Sequence, residues 1–433
     1  MKFPRSFSAR SLSEIAWVVG GQAVIAIGTL VGVRLLTQFL SPTCYGLVSL
    51  ALGVSTVAIA TAFTPLIQAA MHFYPAMAAT GSLSSLRDSI YRCLQRVGRL
   101  AVPISTIAAF GYFMSSHKSR LLGFVLMAIM VCEWFTSLNL AILNSARRQR
   151  RFALWVASLT WARPLVAIAA VGIIGESATA VLSAYLAASV AILVMFHSDL
   201  WSTAKLSPTN VPTGTEEIGT ALDRKVWSYA SSLIPLGLIG WIINLGDRYI
   251  IGGVLGLHFA GVYAAVYGLS SVPLTIIGGT IEQAVRPVYQ HAVSTRDCAR
   301  ANVIFVQWLV AVAAACAGCI IVIYRWHNLL AELFLGPQYR RQAGLMPWIA
   351  AGYGIRCIAG VFERVCYAYG GTSRVLLIQC SAAAATIVAT PTGIYFGGLK
   401  GAAAAVPIYF GVQLIVSALL SHKFIQNAGG VRR

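Results

Sequence analysis

The chain has 433 residues, of which 58% are hydrophobic and only 10% are charged, and its mean hydropathy is +0.75. A water-soluble domain cannot bury that much apolar surface, so the composition excludes a soluble globular protein and indicates one that crosses a membrane several times. The net charge is +19, but the basic residues are spread between apolar segments instead of forming one stripe, which argues against nucleic acid as a partner.

Apolar windows of about 20 residues predict twelve transmembrane helices. Their ranges are 15–40, 45–72, 99–116, 121–144, 152–174, 178–198, 229–253, 260–283, 302–324, 343–369, 374–397 and 401–422. The polar interval 199–228 is rich in Ser, Thr and Pro. We predict that it is a cytoplasmic linker between an N-terminal lobe (1–198) and a C-terminal lobe (229–433), each with six helices.

The basic residues orient these helices. Of the 32 Lys and Arg residues, 21 fall in segments on one side of the predicted membrane, 6 on the other side and 5 within spans. Loops rich in Lys and Arg stay on the cytoplasmic side. Both termini are therefore predicted to be cytoplasmic.

A glycine and serine pattern recurs at an offset of 215 residues, close to half the chain length. The segments "YGLVSLALGVS" and "AGVYAAVYGLS" share Gly, Gly and Ser at the same spacing, beginning with Gly46 and Gly261. An arginine precedes each copy, Arg34 in the first half and Arg248 in the second. Because both halves begin on the same side, the repeats are predicted to be parallel and related by a pseudo-two-fold axis along the membrane normal.

Two segments resemble a known family. "VRLLTQFLSPTCYGLVSLALGVS" is similar to the first helical hairpin, and "GDRYIIGGVLGLHFAGVYAAVYGLSSVPLTIIGGTIEQAVRPVYQHA" to the seventh and eighth helices, of bacterial polysaccharide lipid-intermediate flippases. These are the O-antigen and exopolysaccharide translocases of the MATE-like multidrug/oligosaccharidyl-lipid/polysaccharide superfamily. The resemblance implies an all-α polytopic fold with a MATE-like V shape, in which two six-helix lobes enclose a central cavity.

The same resemblance implies the cargo and the setting. The cargo would be a polyprenyl-diphosphate-linked oligosaccharide, moved across the bacterial cytoplasmic (inner) membrane for surface polysaccharide biosynthesis. Membrane lipids, a polysaccharide polymerase and the export machinery would be further partners, with H+ or Na+ as the coupling ion.

Four arginines within the predicted spans are candidate substrate-binding residues. A charge inside a bilayer costs several kcal/mol unless it faces a wet cavity or a partner, and the planar guanidinium group binds a diphosphate bidentately. The candidates are Arg34, Arg163, Arg248 and Arg356. Structural roles stay open for three of them: headgroup contact for Arg34, an ion pair with Glu133 for Arg163, and bonds to backbone carbonyls for Arg356.

The acidic residues Glu133, Asp247 and Glu363 are candidate ion-coupling groups, because protonation and cargo would compete for the neighbouring arginines. Glu133 and Arg163 are each 15 residues from the centre of the turn that joins their helices. They are therefore predicted to lie at the same depth. Five aromatic residues are candidates for stacking on sugars, with packing or interfacial roles as the alternative: Trp134, Trp161, Trp241, Tyr249 and Tyr367.

The sequence predicts a non-enzymatic transporter without a metal or cofactor, and the resemblance implies a flippase that translocates undecaprenyl-diphosphate-linked oligosaccharide by alternating access. An enzyme that acts on the same lipid carrier would need a large outward loop or an acidic catalytic pair, and the sequence has no Walker-type loop and no helix with metal-ligand spacing. Two alternatives remain open, a MATE-type cation-coupled drug antiporter and a lipid II flippase, which usually has two further helices. The excess of arginine over acidic residues in the spans favours an anionic cargo.

Overall fold

A computed structural model describes residues 9–79, 85–96, 119–146, 148–201, 215–369 and 371–429, and all regular elements in these ranges are helical. In chain order the helices are α1 (Ala9–Phe39), α2 (Pro42–Ala58), α3 (Thr64–Ala79), α4 (85–96), α5 (Ser119–Ser145), α6 (Gln149–Ile174), α7 (Ala178–Trp201), α8 (Thr215–Val254), α9 (Leu257–Ser294), α10 (Cys298–Phe334), α11 (Met346–Ala368) and α12 (Thr372–Gly429). A π-helical turn (Ile59–Phe63) joins α2 to α3, and a 3-10 segment (Pro337–Leu345) precedes α11.

Ten helical segments within the described ranges are long and apolar enough to cross a bilayer. Several of them expose large apolar side chains; on α10, Val310 is 60% exposed and Ile321 is 64% exposed. Such faces would cause aggregation in water, whereas acyl chains solvate them without cost. The prediction of an all-α polytopic membrane protein is confirmed. The predicted span 99–116 lies outside the described residues, so the count of twelve helices stays a prediction.

The last helix is a hairpin of two membrane-spanning segments. A straight helix of 58 residues would extend for about 87 Å, which far exceeds the roughly 30 Å thickness of a bilayer core. The backbone leaves helical geometry at Gly397 and Gly398, where Gly398 has φ of +55°. On either side of the break, a Cβ added to Gly393 would lie 2.3 Å from the carbonyl oxygen of Gly401. The two halves of α12 therefore fold back on each other, in agreement with the predicted spans 374–397 and 401–422.

The chain forms two compact units. The first contains the residues up to Gly32 and Val48–Leu238, and the second contains Val33–Leu47 and Ile239–Arg433. Helix α8 contributes to both, and it begins at Thr215, within the interval predicted to be a linker. The predicted lobe boundaries, 1–198 and 229–433, stay a prediction.

In the first unit, α7 packs on α5 and α6, and α5 packs on α3. Small residues on one face of α1 allow it to approach α6 closely. A Cβ added to Gly21 would lie 2.7 Å from the Ala153 Cβ, and one added to Gly28 would lie 2.6 Å from the Trp161 Nε1. Such close approaches at small residues stabilise helix pairs in membranes, where no hydrophobic effect draws helices together.

In the second unit, α9, α10, α11 and α12 pack on one another, and the start of α2 packs on the start of α9. The contact between α2 and α9 is reciprocal. A Cβ added to Gly46 would lie 2.1 Å from the carbonyl oxygen of Leu257, and one added to Gly261 would lie 1.9 Å from that of Pro42. Gly46 and Gly261 are equivalent positions 215 residues apart in sequence, and so are Pro42 and Leu257. Reciprocal contacts of this kind arise where a two-fold axis passes between equivalent residues, so they support the predicted repeat.

Candidate functional site

The adjacent Asp247 and Arg248 of α8 contact different groups in the second unit. The Asp247 side chain is fully buried, with 0% exposure. Its Oδ2 accepts hydrogen bonds from the Tyr263 hydroxyl at 2.7 Å and from the Tyr409 hydroxyl at 3.4 Å, and its Oδ1 accepts one from the Arg248 backbone N–H at 2.8 Å. Donors from α8, α9 and α12 therefore satisfy this carboxylate without the neighbouring guanidinium group.

The Arg248 guanidinium group packs on an aromatic ring. Its Cζ lies 4.7 Å from the centroid of the Tyr267 ring on α9, a distance at which the ring face attracts a cation. Its buried Nε donates no hydrogen bond to any described residue. In the part of the chain that the structure describes, Arg248 also forms no ion pair with a carboxylate. Its positive charge therefore has no direct ionic partner there.

Tyr267 connects Arg248 to a second guanidinium group, that of Arg356 on α11. The hydroxyl groups of Tyr267 and Tyr353 form a hydrogen bond of 2.7 Å. The Arg356 Cζ lies 5.5 Å from the ring centroid of Tyr353 and 5.3 Å from that of Phe410. Like Arg248, Arg356 forms no ion pair with any carboxylate of the described residues.

The neutral side chain of Asn244 on α8 provides a polar contact to Arg356, whose Nη1 donates to the Asn244 Oδ1. Together these groups form a site with two cations among buried aromatic rings and hydroxyl groups, and its charge is suited to an anion. No group of three metal-ligating side chains occurs among the residues described. We call the site the arginine–tyrosine cluster, and its members are Asn244, Asp247, Arg248, Tyr263, Tyr267, Tyr353, Arg356, Tyr409 and Phe410.

Arg34 belongs to the second unit and contacts the segment that follows α10. Its Nη1 donates to the carbonyl oxygen of Leu335. The same segment is held by the Thr37 hydroxyl, which accepts a 2.9 Å hydrogen bond from the Gly336 N–H. Arg34 therefore caps the C-terminal end of α10, where the free carbonyl groups favour a cation. Its predicted partnership with Arg248 in cargo binding stays a prediction.

Glu363 on α11 is 7% exposed, and its Oε1 accepts a 2.6 Å hydrogen bond from the Gln379 Nε2 on α12. The neighbouring Arg364 pairs instead with Glu282 of α9, with its Nε 2.7 Å from the Glu282 Oε1. Glu363 and Arg356 therefore have separate hydrogen-bonding partners. The role of Glu363 in ion coupling stays a prediction.

Glu133 and Arg163 form an ion pair in the first unit, between the Glu133 Oε1 and the Arg163 Nη2. The Arg163 Nε also donates a 2.9 Å hydrogen bond to the Ser189 hydroxyl. The pair thus links α5, α6 and α7, and the predicted equal depth of the two side chains is confirmed. The binding of cargo by Arg163 and of ions by Glu133 stay predictions.

A second ion pair in the first unit joins α4 to the beginning of α8. Both Asp223 oxygens accept hydrogen bonds of 2.9 Å from Arg92, and the Ser89 hydroxyl donates to Oδ1. The bond to Asp223 raises the pKa of Arg92 above its usual value. This contact was not predictable from the sequence, because the partners are 131 residues apart and neither lies in the middle of a span.

The aromatic residues predicted to stack on sugars are engaged in other contacts. Trp134 stacks on Phe63 with centroids 5.2 Å apart, and the Trp161 Nε1 donates to the Val24 carbonyl at 3.3 Å. The tyrosines of the arginine–tyrosine cluster were not predicted. Their signal is helical spacing: Tyr263 and Tyr267 are four residues apart, and Tyr353 precedes Arg356 by three, so each pair shares a helix face.

The fold and the cluster define a multi-pass, all-helical membrane protein with a cationic and aromatic site in its second unit. The fold is similar to that of a multidrug resistance MATE family transporter of the MOP superfamily in an inward-facing conformation, with a TM-score of 0.69 and 12% sequence identity over 97% of this chain and 100% of that one. It is also similar to the lipid II flippase MurJ in an inward closed conformation, with a TM-score of 0.64 and 11% sequence identity over 96% of this chain and 90% of that one.

An outward-facing conformation of a MATE family transporter gives a TM-score of 0.54 at 13% identity, over 98% of this chain and 89% of that one. No protein-family model and no curated protein sequence matches the chain. The predicted MATE-like fold is therefore confirmed by structural similarity. Because the sequence identities are low, this similarity shows the fold alone.

Proposed function

We propose that the chain is a flippase that moves an undecaprenyl-diphosphate-linked oligosaccharide across the cytoplasmic membrane by alternating access. One observation supports this proposal more than any other. Arg248 and Arg356 are packed on aromatic rings and an amide, and neither forms an ion pair with a carboxylate of the described residues. A desolvated cation without an ion pair is stabilised by an anionic ligand and repels an organic cation.

In this proposal, Arg248 and Arg356 bind the diphosphate and acidic sugars. Arg34 and Arg163 already have partners, a carbonyl oxygen and a carboxylate. Arg163 contributes to cargo binding only if cargo displaces Glu133, and Arg34 also caps the end of α10, so their effect on transport is expected to be smaller. Asp247, Glu363 and Glu133 remain the candidate H+- or Na+-sensitive groups.

A cation-coupled drug antiporter is the second candidate, favoured by the buried carboxyl groups of Asp247 and Glu363. However, Asp247 already accepts three hydrogen bonds, which leaves little capacity for an organic cation. A lipid II flippase would use the same lipid diphosphate, so the arginine–tyrosine cluster fits it as well. The two flippase functions differ in the glycan, and a transport assay distinguishes both from drug efflux.

The test is a flipping assay in vesicles that contain the purified full-length chain and a fluorescent, short-chain lipid-diphosphate oligosaccharide. We expect Arg356→Ala or Arg248→Ala to lower the initial rate by at least about 10-fold, because each removes a charged contact. Arg356→Lys should restore only part of it, because lysine lacks the planar fork. Arg325→Ala, which removes an exposed arginine from α10, is the matched control and should leave the rate unchanged.

Wild-type rates after both alanine substitutions would contradict the assignment of the cluster. Transport of organic cations, without any flipping of the lipid diphosphate, would replace the flippase with the antiporter. Flipping of lipid II alone among lipid-linked glycans would favour the lipid II flippase.

A further inference from the structure

The side chain of Asn244 has a fixed orientation between two helices. Its Nδ2 donates a 2.6 Å hydrogen bond to the Gly240 carbonyl oxygen of its own helix, and its Oδ1 accepts from the Arg356 Nη1. A carbonyl oxygen can only accept and a guanidinium group can only donate, so the chemistry allows just this orientation of the amide. The anchored amide therefore directs Arg356 from α8, 112 residues away in sequence.

Asn244 differs from the carboxylates that hold several other arginines of the chain. Arg163 is held by Glu133, Arg364 by Glu282 and Arg92 by Asp223, and each of these acceptors is a carboxylate. A carboxylate orients a guanidinium group but also neutralises it. An amide oxygen makes a hydrogen bond of similar geometry and leaves the full positive charge in place.

The other groups in direct contact with Arg356 are neutral as well. The Tyr353 and Phe410 ring faces attract the guanidinium group without cancelling its charge. Guanidinium has five N–H donors, and the bond to Asn244 uses one of them. Arg356 is therefore held in position with its charge and further donors available to a ligand.

We propose that Asn244 is a positioning residue that makes the arginine–tyrosine cluster selective for anions, because it directs Arg356 toward a phosphate-type ligand without neutralising it. This role rests on the proposed function and specifies the chemistry of its site. It contrasts with a purely structural role, in which Asn244 only joins α8 to α11. The two roles lead to opposite expectations for Asn244→Asp. An aspartate would form an ion pair with Arg356 and so strengthen the link between α8 and α11. The same ion pair would neutralise the positive charge that the ligand needs.

The experiment uses the full chain in lipid nanodiscs, with farnesyl diphosphate as the probe and farnesol as the uncharged control. Binding affinity and the thermal unfolding midpoint are measured for wild type, Asn244→Ala and Asn244→Asp. We expect Asn244→Ala to weaken binding by about 5-fold, the equivalent of one hydrogen bond. Asn244→Asp should weaken it by at least about 100-fold, because the new carboxylate competes directly with the diphosphate. The midpoint should follow the opposite order, with Asn244→Asp above Asn244→Ala.

A pH titration of Asn244→Asp provides a second readout. As the pH falls toward the aspartic acid range, about 4, protonation should turn the carboxylate into a neutral acceptor and restore binding relative to wild type at the same pH. Asn144→Asp, at the exposed end of α5 in the first unit, controls for the added charge and should bind as wild type does.

The outcomes separate the two proposals. If wild type binds the diphosphate and Asn244→Asp binds it at least as well as Asn244→Ala, the positioning role is wrong and the flippase proposal stands. If wild type binds the diphosphate no better than farnesol, the proposed function is wrong and the positioning role fails with it.

Discussion

Two membrane-embedded arginines, one in each unit, are held in different ways. In the first unit, Arg163 pairs with Glu133 and donates to Ser189, so its charge is compensated by a carboxylate from a neighbouring helix. In the second unit, Arg356 contacts an amide oxygen and two aromatic ring faces. Both arrangements fix a guanidinium group, but only the second leaves its charge for a ligand. Under the proposed function, the partner of a membrane arginine, more than its depth, distinguishes a structural arginine from one that binds cargo.

The largest effect on stability is expected when the pair in the first unit is broken. Arg163→Met should destabilise the protein by about 3 kcal/mol, because it leaves the Glu133 carboxylate without its partner in a low-dielectric environment. The double variant Glu133→Gln/Arg163→Met should regain most of this loss. Thermal unfolding in detergent measures both effects. A double variant as unstable as the single one would mean that the two side chains do not interact energetically.

The same substitution at Arg356 sharpens the comparison. Arg356→Met removes a desolvated cation without leaving a carboxylate unpaired, so stability should stay constant or rise by up to about 1 kcal/mol while flipping is lost. The thermal midpoint and the transport rate are measured on the same preparation. If Arg356→Met destabilised the protein as much as Arg163→Met does, the distinction between the two arginines would be wrong.

The smallest effect is expected at the ion pair between α4 and α8. The Arg92 side chain is 44% exposed. When Arg92 is removed, Asp223 keeps the hydrogen bond from the Ser89 hydroxyl and a 3.6 Å contact with Arg96. Arg92→Ala should therefore cost only about 0.5–1 kcal/mol, and less at high salt. Arg87→Ala, which removes an exposed arginine from the same helix, is the control. A loss of stability as large as that caused by Arg163→Met would show that solvent exposure does not determine the strength of these ion pairs.

Much of the architecture was predictable from the sequence, because its signals are local. Apolar length determines which segments can span a bilayer, and glycine and charge mark their ends, so the hairpin within α12 was predicted at 374–397 and 401–422. The pairing of Glu133 with Arg163 was predictable for a related reason. Two helices joined by one short turn run antiparallel, so residues equally far from the turn reach the same depth.

The arginine–tyrosine cluster was decided by the tertiary structure. Its residues come from four helices, and the contact between Asp247 and Tyr409 joins positions 162 residues apart. Apolar periodicity does not determine how each helix is rotated about its own axis in the folded protein. It therefore does not reveal which polar groups on distant helices face each other. The sequence by itself determined that Asp247, Arg248 and Arg356 are buried charges in need of partners. Helix packing decided that tyrosine hydroxyl groups satisfy the carboxylate, and that aromatic rings and one amide receive the two guanidinium groups.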